Sequence, residues 1–144
     1  MTEPSAALAA GQHELAAAYA VRYAVFVEEQ GVPLSLERDD RDADADHAVG
    51  RLDGAIVAAG RLVRSGQTGL VGRMAVLPVA RGRGLGSQVL AALEQRARER
   101  GLDTVELHAQ TGARCFYERL GYTAYGEEYD EAGIRHVSMR KPLP

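Results

Sequence analysis

The chain has 144 residues, of which 46% are hydrophobic and 26% charged, and this composition predicts a single globular domain spanning residues 1–144. The formal net charge of −3 argues against a nucleic-acid-binding surface, and no apolar run reaches the roughly 20 residues of a membrane span. A single cysteine, Cys115, rules out an internal disulfide framework and a cysteine-based zinc site, and it favours a cytoplasmic protein.

The first half of the chain predicts one helix followed by consecutive strands. Apolar residues recur at three- and four-residue steps from Gln12 to about Glu28, as in an amphipathic helix. The segment "LERDDRDADADH" has no hydrophobic period and is too acidic for a core, so we expect a solvated loop. Asp53-Gly54 between "HAVGRL" and "AIVAAGRLV" predicts a hairpin with a type I′ turn, and "GLVGRMAVL" predicts another strand.

The second half predicts helices that alternate with strands. The strongest helix extends from about Gly84 to Arg100 and ends at Gly101. "TVELHA" indicates a buried strand, "GARCFYERLG" a short helix, and "YTAYGEEYD" with "IRHVSMRKP" a final strand pair. This order predicts a mixed α/β fold with a sheet of about six or seven strands, and not a doubly wound sheet.

The segment "VARGRGLGSQVL" places three glycines at the start of the strongest helix. Such a turn lets backbone amides approach a phosphate, whereas the alternative is a left-handed turn with solvated arginines. A P-loop is excluded because residues 82–87 contain no lysine. A dinucleotide-binding turn fits poorly, because Ser87 stands where the third glycine belongs and Glu106 lies inside a strand.

Two motifs occur in a characteristic order. The first has the form R-x-x-G-x-G, and the second, "QTGARCFYERLGY", carries the pattern A-x-x-F-Y-x-x-x-G-Y with Gln110 in place of a more usual Asn. Together they resemble the GNAT superfamily of acyl-CoA-dependent N-acetyltransferases. The stretches "VRYAVFVEEQGVP", "DDRDADADH" and "DEAGIRHVSM" are similar to its ElaA/YjcF-like branch.

The resemblance implies a central, mostly antiparallel sheet flanked by about four helices. It also implies that acetyl-CoA is the co-substrate, with its pyrophosphate on the glycine-rich turn and its pantetheine along a bulged strand. The expected binding residues on the turn are Arg81, Gly82, Arg83, Gly84, Leu85, Gly86 and Ser87. Those expected elsewhere are Met74, Ala75 and Val76 on the strand, and Gln110, Ala113 and Phe116 in the second motif.

The resemblance further implies that the phenol of Tyr117 donates a proton to the thioester sulfur, although a core tyrosine is the alternative interpretation. A phenol with a pKa near 10 is protonated at neutral pH and can serve in this way. Glu29 and His136 are the preferred candidates for the general base, with Glu28 and His108 behind them. The amine can also lose its proton through water. No His–Cys spacing supports Cys115 as an acylated nucleophile.

The function predicted is direct transfer of an acetyl group from acetyl-CoA to a primary amine on a small molecule or peptide, without a metal. An acyl-CoA-binding regulatory module without turnover is the alternative, and a nucleotide-binding protein is a third hypothesis. Aspartates 42, 44, 46 and 53 have calcium-loop spacing, but His47 replaces the required glycine. The acidic segment could instead attract cationic amines. The resemblance is also compatible with a homodimer.

Overall fold

The computed structural model describes residues 3–144, so the first two positions of the predicted domain lie outside the described residues. The strands are β1 (Ser5–Leu8), β2 (Asp46–Leu52), β3 (Ala55–Ser65), β4 (Thr68–Val76), β5 (Thr104–Gln110), β6 (Thr123–Glu131) and β7 (Ile134–Pro142). The α-helices are α1 (Gly11–Arg22), α2 (Leu34–Glu37), α3 (Leu85–Glu99) and α4 (Arg114–Arg119). A π-helix (Tyr23–Glu29) continues α1, and short 3-10 turns cover Asp40–Ala43, Pro78–Ala80 and Thr111–Ala113.

The seven strands form one sheet in the order β1-β2-β3-β4-β5-β7-β6. Only the β4–β5 pair is parallel among the described strands, and every other neighbouring pair is antiparallel. The predicted mixed α/β fold with a mostly antiparallel sheet is therefore confirmed. Between β2 and β3, Asp53 (φ 51°) and Gly54 (φ 83°) both have positive φ angles, as a type I′ turn requires.

The two long helices cover opposite faces of β2, β3 and β4. Successive strand residues point to opposite faces, and the core follows this alternation. Val49 and Ala59 pack with α1, while the adjacent Ala48 and Ala58 belong to the larger cluster that contains the apolar stripe of α3. Within residues 3–144, no helix has both the length and the apolar character needed to cross a membrane.

A small polar network joins α3 to the last strands. The buried carboxylate of Glu94 accepts a hydrogen bond of 2.7 Å from the Tyr122 hydroxyl and lies 3.2 Å from Nζ of Lys141. Burial and the adjacent Glu94 carboxylate raise the pKa of Tyr122 well above its usual value. Lys141 is the only lysine in the sequence, so the single ε-amine of the chain is held in an ion pair.

Candidate active site

The central cavity lies where β4 and β5 separate. Their parallel pairing ends at Val71 and Leu107, although β4 continues to Val76 and β5 to Gln110. Beyond the last pair, the edge of β4 that faces β5 has no strand partner in the part of the chain that the structure describes. The cavity has a volume of about 640 Å³, and both diverging strands line it. Backbone donors and acceptors on this free edge are available to an extended ligand.

A β-bulge deforms β4 at this opening. Ala75 pairs with Ala59 and Gly72 with Arg61, so Arg73 and Met74 together stand opposite one residue of β3. Arg73 has a φ of 54°, a left-handed conformation that costs a non-glycine residue roughly 1–2 kcal/mol. Among the three strand residues predicted to bind the donor, Met74 lines the cavity, whereas Ala75 and Val76 turn their side chains into the core. A ligand along this strand would therefore meet mainly the main chain of these two residues.

The glycine-rich turn leads into the N-terminus of α3. Gly82 (φ 79°) and Gly84 (φ 80°) have left-handed backbones, and a Cβ at either position would meet no described atom within 4 Å. Gly84 is the N-cap of α3 and provides no side-chain cap, so the first amides of the helix are open to an anion. Leu85 is buried in the core, and Ser87 is half-buried on the first turn.

At Gly86 the constraint is close packing and not a left-handed backbone. A Cβ there would lie 3.2 Å from Cζ of Phe116, so the absence of a side chain allows α4 to pack against α3. Phe116 is half-buried, and its ring meets that of Tyr117 edge-on, with the centroids 4.9 Å apart. The two sequence motifs therefore contact each other through Gly86 and Phe116.

Two arginines of the turn differ in their surroundings. Arg81 donates to both carboxylate oxygens of Glu29, at 2.9 and 2.7 Å, and its Nε donates to the carbonyl of Val76. Hydrogen bonding from Arg81 lowers the pKa of Glu29, which makes this carboxylate a weaker base. Arg83 is exposed and has no hydrogen-bond or ion-pair partner among residues 3–144.

Tyr117 reaches the cavity from α4. Its side chain is 8% exposed, and its hydroxyl has no hydrogen-bond partner among the described residues. Burial raises the pKa of Tyr117 to about 12. The phenol is therefore protonated at neutral pH and has a hydrogen bond to offer to a ligand.

His136 is a buried histidine that lines the same cavity. Its Nδ1 lies 2.7 Å from the carbonyl oxygen of Ile134, and since a carbonyl only accepts, Nδ1 must carry the proton. In the neutral ring Nε2 is then the basic nitrogen, and it lies 3.6 Å from the carboxylate of Glu131. The other histidine considered, His108, also lines the cavity, but its side chain is exposed and bonds to the hydroxyl of Tyr129.

The structure thus separates the two preferred base candidates. His136 and Tyr117 line the cavity, but Glu29 is not among the described residues around it and is instead paired with Arg81. Gln110 and Ala113 also line the cavity. The amide of Gln110 exchanges hydrogen bonds with that of Gln30, at 2.9 and 3.3 Å, and so joins β5 to the end of the π-helix.

The expectation of a solvated acidic loop was wrong for two of its carboxylates, although several neighbouring side chains are exposed. Glu37 is 2% exposed and Asp42 is 6% exposed, and both bond to Arg22 of α1. Burial alone would raise the pKa of Asp42, but the guanidinium groups of Arg22 and Arg61 outweigh it and hold the pKa below its usual range. Two of the carboxylates with calcium-loop spacing are therefore paired, Asp42 with Arg22 and Asp46 with Arg100.

Sequence reasoning also missed Arg22, Arg61 and Arg73 as residues near the site. Each interrupts an apolar stretch, in "AVRYAV", "AAGRLV" and "VGRMAV". A charged residue at the centre of a buried element requires a partner of opposite charge, and this was the available signal. The partner segment could not be identified, because it lies 15 to 36 positions away.

Comparison with known proteins agrees with this architecture. The model of the acetyltransferase (GNAT) domain family matches residues 10–143. The N-acetyltransferase YjcF from Bacillus subtilis is 36% identical over 137 residues, which cover 94% of this chain and 98% of YjcF. ElaA from Escherichia coli is 31% identical over 135 residues, covering 90% of this chain and 88% of ElaA.

A solved structure extends the likeness to three dimensions. An acyl-CoA N-acyltransferase from Pseudomonas aeruginosa superposes with a TM-score of 0.82 at 33% identity, covering 96% of this chain and 98% of that one. The family model spans nearly the whole chain, and the relatives match over most of their own length. The chain therefore belongs to the GNAT acetyltransferases, in the branch of ElaA and YjcF, and is an acyl-CoA-dependent N-acyltransferase.

Proposed function

We propose that the protein transfers an acetyl group from acetyl-CoA directly to a primary amine. The observation that carries this proposal is the separation of β4 and β5, which leaves an unpaired, bulged strand edge beside the phenol of Tyr117. A thioester lying along that edge would have main-chain donors near its carbonyl and a phenol near its sulfur. These are the two places where negative charge develops during acyl transfer.

The glycine-rich turn is the proposed site for the pyrophosphate. The open space over Gly82 and Gly84 and the uncapped amides of α3 suit a doubly charged anion. Arg83, which has no ion-pair partner among the described residues, adds a positive charge within the turn. Gly86 supports this site indirectly, because it allows Phe116 to pack beneath the first turn of α3. The pantetheine arm would follow the main chain of residues 74–76, with Gln110 and Ala113 on the opposite wall.

We assign the proton movements of the reaction to His136 and Tyr117, which both line the cavity. The amine nitrogen attacks the thioester carbonyl, the C–S bond breaks, and CoA leaves as a thiolate, which takes up a proton from solvent in place of the one that the amine loses. His136 would accept the proton that the amine loses, since its Nε2 is the basic nitrogen. The pKa of Tyr117, about 12, lies above the roughly 8.5 of a thiol, so its phenol stabilises the leaving sulfur by a hydrogen bond while retaining its own proton for most of the step.

Calorimetric titration with acetyl-CoA tests the donor site first. A carboxylate at position 84 would be strained by the positive φ there, so Ser87→Glu is the better probe of the turn. The exposed Gln95→Glu, on the same helix, introduces the same charge far from the turn and serves as the matched control. We expect wild type and Gln95→Glu to bind at micromolar concentrations, and Ser87→Glu to lose binding while remaining folded.

Thiol release with a panel of amines then tests the reaction. Release that depends on a primary amine supports direct transfer. Binding of acetyl-CoA without release from any amine would favour the regulatory module instead, and equal binding by wild type and Ser87→Glu would remove the glycine-rich turn from the donor site. A homodimer is still a prediction, and sedimentation of the purified chain would measure it.

A further inference from the structure

A group of six charged side chains lies beside the cavity, and four of them line it. Three arginines from α1, β3 and β4 meet three carboxylates from the segment of residues 37–42, so their formal charges balance. We name this group the arginine–carboxylate cluster, and its members are Arg22, Arg61, Arg73, Glu37, Asp39 and Asp42.

Two of the arginines hold the segment in the interior. Arg22 Nε lies 2.7 Å from Glu37, and its Nη1 lies 2.7 Å from Asp42. Arg61 lies 2.8 Å from Asp42 and 2.6 Å from Asp39. These bonds are charge-assisted, and the four side chains of Arg22, Arg61, Glu37 and Asp42 are almost fully buried. The segment is therefore a fixed wall of the cavity.

Arg73 connects this wall to the bulge. Its Nε donates to the carbonyl of Glu37 at 2.9 Å, and its Nη2 donates to the carbonyl of Leu36 at 3.2 Å and to Asp39 at 3.3 Å. The side chain thus spans from the end of α2 to the irregular part of β4. It is the most exposed of the three arginines and lines the cavity.

The residue type at this position is informative. A φ of 54° favours glycine, yet the chain carries an arginine there. The unfavourable backbone conformation is retained together with a side chain that forms three bonds to the cavity wall. A planar guanidinium presents several donors in a fixed geometry, which a lysine ammonium cannot reproduce.

We infer that Arg73 is a positioning residue: it holds the bulge of β4 against the cavity wall, so that the main chain of the bulge is aligned with the thioester carbonyl. This inference rests on the proposed function, because it assumes that the bulge receives the carbonyl. Preorganised donors stabilise the charge that develops on a carbonyl oxygen, and loosening them weakens that effect. The expected loss is therefore in polarisation of the carbonyl, with donor affinity retained.

Carbon-13 NMR of acetyl-CoA labelled at the carbonyl carbon measures this polarisation without an acceptor. We expect the carbonyl resonance to move downfield when wild type binds the ligand. Arg73→Met should lose most of that displacement, and Arg73→Lys should recover only part of it. Arg100→Met is the matched control, because it removes another arginine–aspartate pair, at the exposed end of α3. Calorimetry and thermal melting are recorded for all four proteins.

The outcomes separate the two proposals. Failure of wild type to bind acetyl-CoA would count against the proposed function itself. Suppose that Arg73→Met is folded, binds acetyl-CoA and moves the carbonyl resonance as far as wild type does. That result would overturn the role of Arg73 while leaving the proposed function intact. If Arg73→Met does not fold, the test rests on Arg73→Lys. A carbonyl displacement equal to that of wild type refutes the role of the guanidinium, and a smaller displacement at unchanged affinity for acetyl-CoA supports it.

Discussion

Removing one oxygen from each of two neighbouring tyrosines should separate catalysis from stability. Tyr117 has no hydrogen-bond partner among the described residues, so Tyr117→Phe leaves no buried group unpaired, and the free energy of unfolding should change by less than about 1 kcal/mol. In the reaction its phenol would bond to a charged sulfur. Such a bond contributes about 1.5–3 kcal/mol, which corresponds to a roughly 10- to 150-fold fall in kcat.

Tyr122→Phe is the matched control, because the two rings lie 6.0 Å apart and, within residues 3–144, only the hydroxyl of Tyr122 is hydrogen-bonded. Loss of the Tyr122 hydroxyl removes a hydrogen bond from the buried Glu94 carboxylate. We therefore expect the free energy of unfolding to fall by about 1–3 kcal/mol, with little change in kcat. Urea denaturation measures the stabilities. Thiol release with an amine identified from the panel measures kcat.

The pH dependence provides a second check on Tyr117. Its pKa of about 12 means that the phenol stays protonated at pH values well below 12, so the ratio of kcat between wild type and Tyr117→Phe should be constant from about pH 6 to about pH 9. The ratio should approach one only as the pH rises towards 12. A Tyr117→Phe protein with wild-type kcat, or a ratio that changes near pH 8, would refute the reasoning.

Three further predictions concern charged groups. Glu29→Gln should bind acetyl-CoA about two- to fivefold more tightly at low salt, because Arg81 is then released towards the pyrophosphate; calorimetry measures this, and weaker binding would contradict it. Arg22→Met should lower the free energy of unfolding by about 3–5 kcal/mol, since Glu37 and Asp42 lose a buried partner; a urea titration showing a loss below about 1 kcal/mol would count against the cluster. The lowered pKa of Asp42 stabilises the fold at pH values above the ordinary aspartate pKa of about 3.9, and this contribution should disappear as the pH falls below that value. The free energy of unfolding should show this loss in wild type and not in Asp42→Asn.

The sequence predicted the regular elements well because their signals are local. Helix periodicity, the Asp-Gly turn and the glycine stop at the end of α3 each depend on residues within a few positions of one another. The bulged strand and the phenol on α4 followed from two motifs whose spacing is typical of the family. The approach of Gly86 to Phe116 shows why both motifs occur together, although neither reveals that contact alone.

The remaining features depend on contacts between distant parts of the chain. Composition alone suggested that the acidic segment faces water. That prediction failed because the arginines that neutralise the segment belong to three other elements. The π-helix, which places Glu29 at Arg81, likewise depends on packing and has no clear local signal. Net charge over a segment therefore says little about burial when partners of opposite sign are contributed from elsewhere in the fold.

The polar network around Lys141 has a consequence for the chemistry of the protein as a whole. Acyl thioesters modify exposed lysines without any enzyme, so an acyltransferase that binds them is exposed to damage by its own donor. Here the chain has one lysine, and its ammonium group is held 3.2 Å from the carboxylate of Glu94. An arginine-rich surface keeps the positive charge needed for solubility while offering almost no side-chain amine to self-acylation.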